Sequence, residues 1–325
     1  MSANGCPTER ISSFVDSFLQ PLVKTTRSFI KDTTHFLRVL RDIGQLPDDA
    51  LLVTLDVTSL YTNIPHLEGK TAVERILAPH RDTNTIPTNF SLVLLLDAVL
   101  TMNNFEFNGE NYLQTGGVAM GTKVAPYLAN IFMAHFEETH VYTYHLQPLT
   151  WVRFIDDVFQ IWTHGRRELD LFIQHLNDCH PTIKFTAEIS SQSVNFLDTV
   201  VSINEDRNII TSLYCKPTDA HNYLLFSSAH PRHCLKSTPY SQFLRIRRIC
   251  SLDTDFEENA VMIGRHFMRR GYPAPLVETA LIRAYRTSRS DLLRDEAPLD
   301  TDDQPGTTED NFFLISTFIP GFQAL

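Results

Sequence analysis

Apolar residues recur at helical spacing from the start of the chain. In PTERISSFVDSFLQPLV, Ile11, Phe14, Val15, Phe18, Leu19 and Leu22 follow a Pro-Thr-Glu opening and predict an amphipathic helix. A second helix is predicted after Asp32, with Phe36, Leu37, Leu40 and Ile43 on its apolar stripe. The period then changes: LLVTLDV, residues 51–57, is a short apolar run of strand length, rich in β-branching. Helical patterns return over about 67–77 and 89–102. FEFNGENYLQ reads as a hairpin, because Asn108-Gly109 accepts the positive φ pair of a type I′ turn. The spacing next predicts a helix over about 125–142, strand-turn-strand over 151–162 and a helix over 167–177. Strands are predicted near 183–188, 195–203 and 209–214, and from Tyr240 the apolar spacing is helical again. There is no internal repeat. Strands alternating with helices around hairpins imply an α+β fold, a sheet with helices on one face.

One stretch conflicts with its own pattern. WVRFIDDVFQIW places Asp156 and Asp157 side by side in an almost wholly apolar run. Burying an unpaired carboxylate is costly, and two neighbours also repel. A hairpin turn alone would explain an Asp-Asp pair. Here Phe154, Ile155, Val158 and Phe159 flank it with strand formers, so the turn ends a hydrophobic hairpin and its carboxylates need a counter-charge, which a divalent metal supplies. A metal site would need a further carboxylate on a neighbouring strand. Asp56, near the end of LLVTLDV, can provide it, or can be a strand-terminating residue. Between the two elements, TGGVAMGTKVAPYLANIFM carries glycines that let bare backbone approach a ligand, and Pro126 opens an apolar helix; a plain loop before a helix is the alternative.

Composition narrows the class. The chain has 325 residues, enough for one large or two ordinary domains, and is 43% hydrophobic and 20% charged, as soluble globular proteins are. No apolar segment reaches the roughly 18 residues of a membrane span, and MSANGCPTER lacks the apolar core of a signal peptide. Five scattered cysteines without a CxxC favour a reducing, intracellular compartment over a disulfide framework or zinc ribbon. The net charge of −10 taken alone argues against a nucleic-acid partner. It hides an asymmetry: residues 210–290 hold 12 Lys/Arg against 6 Asp/Glu, whereas 291–310 hold 8 acidic residues and Arg294. Residues 300–310 read as a disordered linker.

The order of strand-Asp, Gly-loop-helix and hairpin-Asp-Asp resembles the palm of a reverse transcriptase. LDVTSLYTNIP resembles its first carboxylate motif, GGVAMGTKVAPYLANIFM its template- and nucleotide-positioning loop and helix, and FIDDVF its paired-aspartate motif. The wording is most similar to Penelope-like retroelements, a family related to telomerase. PTERISSFVDSFLQPLV, IKFTAEIS, VNFLDTVVSI and SLYCKPTDAHNYLLFSSAHPRH extend the resemblance over about 7–285.

That resemblance implies a polymerase right-hand palm followed by a helical thumb-like region. It implies an RNA-directed DNA polymerase acting on RNA template, DNA primer and deoxynucleoside triphosphates with two Mg²⁺ (or Mn²⁺) ions. Asp56 and Asp156 would bridge both metals, with Asp157 supporting. The backbone of Val57, Thr58, Ser59 and Leu60 would lie beside the triphosphate, and Tyr61 would be a steric gate against ribose or, alternatively, a core tyrosine. Met120-Gly121 would line the nucleotide pocket at a position where many reverse transcriptases carry Gln-Gly. Lys184 would approach the triphosphate or sit on a strand edge. VNFLDTVVSI would form a β-element near the primer. Arg245, Arg247, Arg248, Arg265, Arg269 and Arg270 would hold duplex phosphates from the thumb, or form a solvated helix face. The implied division is a helical fingers remnant over 1–48, palm over 49–215, basic thumb over 216–290 and acidic tail over 291–325. Fingers strands with basic residues and a GIY-YIG nuclease are not recognisable, so the chain reads as a fragment of such an element, with the nucleus as its expected place. Two other readings stand beside this one: a non-catalytic nucleic-acid-binding remnant, and a metal-dependent phosphodiesterase. The phosphodiesterase would need a water-activating histidine, for which His66 and His164 are the nearest candidates.

Overall fold

The computed structural model describes residues 6–80 and 88–294. Helix α1 (Glu9–Val23) buries Val15, Leu19, Leu22 and Val23. Helix α2 (Thr33–Arg41) starts where the Asp32 carboxylate accepts the His35 amide at 2.8 Å, an N-cap, and stops short of Ile43. Strand β1 (Leu51–Val57) coincides with the predicted run. A single turn, α3 (Leu60–Asn63), leads into α4 (His66–Leu77), and α5 (Asn89–Thr101) follows. Strands β2 (Asn104–Phe107) and β3 (Glu110–Leu113) form the expected hairpin, with Asn108 at φ 53° and Gly109 at φ 80°.

Helix α6 (Ala125–Phe136) continues as a π-helical turn, Glu137–Val141, so the predicted 125–142 helix changes its hydrogen bonding partway. Next come β4 (Thr150–Phe154), β5 (Asp157–Trp162), α7 (Arg166–Asp178) and β6 (Phe185–Ser190). The strand expected over 195–203 is two, β7 (Ser193–Phe196) and β8 (Thr199–Ile203). They fold back at Leu197, which takes φ 54°, and the turn is held where the Thr199 hydroxyl donates to the Phe196 carbonyl at 2.7 Å. Strand β9 (Ile209–Leu213) completes this meander. The basic region is α8 (Arg232–Ile249), α9 (Asp253–Arg269), α10 (Ala274–Tyr285) and α11 (Arg289–Leu292). Helix α8 begins before Tyr240 because it runs through Pro239, giving up one backbone hydrogen bond while burying the ring.

The central sheet has the order β4-β5-β1-β6 and is antiparallel throughout. Strand alternation assigns its two faces. Val53, Leu55 and Val57 of β1 and Val158 and Trp162 of β5 point into a core shared with α1, α4, α5, α6 and α7. Leu52, Phe159 and Ile161 point the other way, against Phe36 and Leu40 of α2 and against Val194, Phe196 and Val201 of the β7–β8 meander. Helices α1, α4, α5, α6 and α7 therefore lie on one face of the sheet. The opposite face is covered only in part, by α2 and the small β7-β8-β9 sheet. Residues 28–30 run beside β4: the Arg153 amide donates to the Ser28 carbonyl at 2.7 Å and the Ile30 amide to the Arg153 carbonyl at 3.1 Å. A further core gathers Phe243, Ile246, Phe256, Ile263 and Phe267 of α8 and α9 with Leu37 of α2.

The described residues up to Leu293 form one compact unit. Helices α1 and α2 share the sheet's cores rather than forming a body of their own. From residue 295 the acidic tail, including the linker expected over 300–310, lies outside the described residues. Among the described residues no helix is long and apolar enough to cross a membrane.

Candidate active site

Antiparallel register brings the carboxylates together. Asp56 of β1 lies directly opposite Asp157 of β5, and residues so paired project from the same face. By alternation that is the face of Leu52 and Phe159, the one the large helices leave open. Asp156 sits in the β4–β5 turn, and its carbonyl accepts the Val57 amide at 3.1 Å, which ties the turn to the end of β1. Asp56 and Asp157 line an open cleft whose floor continues through Thr186 and Glu188 of β6.

The turn is strained. Ile155 takes φ 58°, a left-handed conformation that a β-branched residue reaches only at a cost of about 1–3 kcal/mol. Arg153, fully buried, holds it there. One guanidinium nitrogen (Nη1) donates to the Ile155 carbonyl at 3.0 Å and to the Asn130 side chain at 2.8 Å, while Nε donates to Glu137 at 2.6 Å. Glu137 also accepts from the Trp151 indole at 3.0 Å and from the Ser28 hydroxyl. This network was missed in the sequence. Its one available signal was an arginine inside the apolar WVRF run.

The cluster is crowded with like charge. Burial pushes the Asp157 carboxyl up to about 6, helped by the charges of Asp156 and Asp56 and opposed by that of Lys216. Asp156 is also raised, by burial first; its own backbone amide works against this, Asp56 adds to it, and Arg153 opposes it weakly because its guanidinium is engaged by Glu137. Three crowded oxygen donors with no committed protein cation are a hard-ligand set that fits Mg²⁺ or Mn²⁺. The two candidate imidazoles are engaged elsewhere: His66 is hydrogen-bonded to the Gly117 carbonyl at 2.7 Å and His164 to that of Gln147 at 2.9 Å.

The segment after Asp56 turns sharply. Thr58 donates its amide to the Lys184 carbonyl at 2.9 Å, Ser59 takes φ 51°, and Leu60 is buried. Tyr61 is half-buried against the core, and its phenol is pushed up by burial first and then by the charge of Asp156. Gly117 fits only as glycine: at φ 70°, an added Cβ would lie 2.6 Å from the Thr62 carbonyl oxygen. That close approach lets the Val118 amide donate to the Tyr61 carbonyl and places Met120 and Gly121 with Tyr61 around one hollow.

Other expected residues are placed elsewhere. The Lys184 ammonium caps α7, donating to the carbonyls of Asn177 and His180, so it is not delivered to the cluster. Arg245 makes a two-nitrogen contact with Asp198 at 2.9 and 2.7 Å. Arg247 donates to Asp253 at 2.5 Å and to the Thr287 carbonyl, and Arg270 to the Tyr223 carbonyl at 2.6 Å. Arg248 is partly buried beneath Arg289, which donates to its carbonyl. The side chains of Arg245, Arg247 and Arg270 hold the helical region together, whereas the Arg248 Nε is buried without a hydrogen-bond partner among the described residues. Arg265 and Arg269, one turn apart on α9, are exposed. Asp198 in the β7–β8 turn, which also accepts from Thr33, is a junction between α2, the meander and α8.

Residues 8–191 match the family described as reverse transcriptase (RNA-dependent DNA polymerase), and residues 222–282 match the animal helix-turn-helix domain. No curated protein matches the chain in sequence. Among solved structures, telomerase from Candida albicans in complex with a fragment of telomeric RNA superposes with a TM-score of 0.58 at 11% identity, over 86% of this chain and 51% of that one. Apo telomerase from Candida tropicalis gives 0.51 at 12% identity, over 87% and 50%. The RNA-dependent RNA polymerase of a human picobirnavirus gives 0.55 at 11% identity, over 84% and 58%. The chain thus shares the polymerase palm fold and spans about half the length of these structures.

Proposed function

This chain belongs to the reverse transcriptase family, and from that premise we propose that it is the polymerase core of a Penelope-like retroelement, extending a DNA primer on an RNA template at Asp56, Asp156 and Asp157. The observation that carries the reading is the register of β1 against β5. It sets Asp56 opposite Asp157 and puts Asp156 in the adjoining turn, three carboxylates without a committed protein cation. The Penelope-like assignment is supported by wording beyond the matched region, SLYCKPTDAHNYLLFSSAHPRH, and by the telomerase-like fold.

Two Mg²⁺ ions held by these carboxylates would supply activation of the primer 3′-hydroxyl and charge neutralisation at the leaving pyrophosphate. The chain's own groups do the rest. The backbone from Val57 to Leu60 lies where the triphosphate is expected. Tyr61, braced by the Gly117–Val118 backbone, presents its ring to the sugar. The strained Ile155 turn, pinned by Arg153, keeps the Asp156 carboxylate from relaxing away from Asp56. The α8–α11 region provides a thumb that holds the hybrid by its phosphates.

The test is extension of an oligo-primed RNA template in Mg²⁺ or Mn²⁺ by the full chain and by Asp156→Asn. The expected result is extension by the parent and background for the variant, with unchanged far-ultraviolet circular dichroism. Equal extension by both would remove Asp156 from the reaction. Hybrid binding by the parent without extension would favour the non-catalytic reading.

A further inference from the structure

Residues 214–231, between β9 and α8, contain no helix or strand, a length of irregular chain that ordinarily has a functional or fastening reason. Within it, the Cys215 thiol, the Asp219 carboxylate and the His221 imidazole lie within 4.8 Å of one another. The backbone is shaped to keep them so. The Asp219 amide donates to the Lys216 carbonyl at 2.8 Å, the His221 amide donates to the Asp219 carboxylate at 2.8 Å, and His221 takes φ 48°. A further imidazole adjoins the three from a different element: the His266 ring of α9 stands 4.3 Å from that of His221, centroid to centroid.

An Asp-turn explains the contact between Asp219 and His221, but neither Cys215 nor His266. We propose that Cys215, Asp219, His221 and His266 form a zinc-type divalent metal site that fastens the 214–231 segment to α9. One sulfur, two imidazole nitrogens and one carboxylate oxygen are a donor set that four-coordinate zinc accepts. Nitrogen and oxygen donors on a tetrahedral zinc are about 3.4 Å apart, and His221 Nδ1 is 3.6 Å from Asp219 Oδ2. On binding, the Cys215 thiol releases its proton to solvent as the thiolate–metal bond forms.

A second group of three, His140, His175 and Cys179, is equally close. The imidazoles beside it are committed, His135 to Arg75 and His180 to Glu68. It serves as the internal control.

The full chain, stripped with chelator and kept reduced, is titrated with Co²⁺ and then with Zn²⁺. The expected result is one equivalent of cobalt with a near-ultraviolet thiolate charge-transfer band and visible bands of a tetrahedral site, displaced by zinc, beside any band-free cobalt held by the carboxylate cluster. Cys215→Ser should lose the charge-transfer band. His266→Gln, on a formed helix, should weaken binding by at least about tenfold and stands in where the serine variant fails to fold. Cys179→Ser should leave the spectrum unchanged, and Asp156→Asn should retain the metal, which separates this site from nucleotidyl transfer. A band that survives Cys215→Ser and vanishes in Cys179→Ser, or no stoichiometric cobalt binding by the parent, would overturn the proposal.

Discussion

The Arg153 guanidinium meets the Glu137 carboxylate at 2.6 Å with both side chains almost wholly removed from solvent, at 0% and 1% exposure. Burial of such a pair is tolerable only when every remaining donor and acceptor is used. Here Ser28, Asn130, Trp151 and the Ile155 carbonyl complete the network. The pair therefore couples the π-helical turn behind the sheet to the carboxylate-bearing turn at its end. Glu137→Ala should cost about 3–5 kcal/mol, because it strands a buried cation. Arg153→Met, which removes the charge but keeps the bulk, should retain more stability yet release the Ile155 turn. Denaturant unfolding of both variants, with primer extension by the methionine variant at a temperature where it is folded, checks this. Full extension by Arg153→Met would mean the clamp is not needed.

Asp157 sets a pH dependence for the metal-free chain. Its folded-state pKa is raised to about 6 from 3.8. The stabilisation from protonating it is therefore fully present below 3.8 and lost as pH rises through about 6. Asp156 acts in the same direction. In chelator, the melting temperature of Asp157→Asn should exceed that of the parent at pH 7.5, and the difference should shrink as pH falls below 6. Mg²⁺ should narrow it at pH 7.5 by stabilising the parent alone. A difference constant between pH 4.5 and 7.5 would contradict the crowding of these carboxylates.

Tyr61 shares a hollow with Met120 and Gly121 and senses the charge of Asp156. Tyr61→Ala should raise ribonucleotide incorporation relative to deoxynucleotide while sparing deoxynucleotide extension. Tyr61→Phe, which keeps the ring, should behave as the parent. Incorporation ratios from paired single-nucleotide extensions measure this; an unchanged ratio in the alanine variant would leave Tyr61 as core packing.

The basic helices divide into two kinds of arginine. Arg265→Glu with Arg269→Glu should weaken binding of an RNA–DNA hybrid about equally for unrelated sequences. It should also reduce the steepness of the salt dependence, because phosphates rather than bases are contacted. The melting temperature should hardly change. Arg245→Glu should instead lower it, since that side chain bridges α8 to Asp198 in the β7–β8 turn. A salt titration with two hybrids, alongside thermal melts, distinguishes the roles. Weaker hybrid binding in Arg245→Glu at unchanged melting temperature would reverse them.

Much of this protein is written locally. Strand β1, helices α4, α5 and α7 and the Asn108-Gly109 hairpin depend on period, length and turn chemistry, which neighbouring residues specify. Their predicted and observed limits agree within a residue or two. The order of Asp56, the glycine loop and Asp156-Asp157 was legible for the same reason, as each sits in a run of distinctive pattern. What lay outside local pattern was decided by long-range pairing. The turn at Leu197 exists because Asp198 is needed by Thr33 and Arg245 from distant elements. The commitments of Lys184, Arg245, Arg247 and Arg270 follow from which carbonyl or carboxylate the fold brings within reach; in sequence Lys184 read as a triphosphate contact or strand-edge lysine, and the arginines as phosphate contacts or a solvated helix face. Arg153 and Glu137 could not be recognised as partners, because the hydrogen bonds that make their burial affordable come from four separate elements. Local pattern specified most of the elements and supplied the three carboxylates. Only the tertiary structure decided that Asp56 faces Asp157, because register fixes the face, and which cations remain available to a ligand, because a buried or capped charge is already spent.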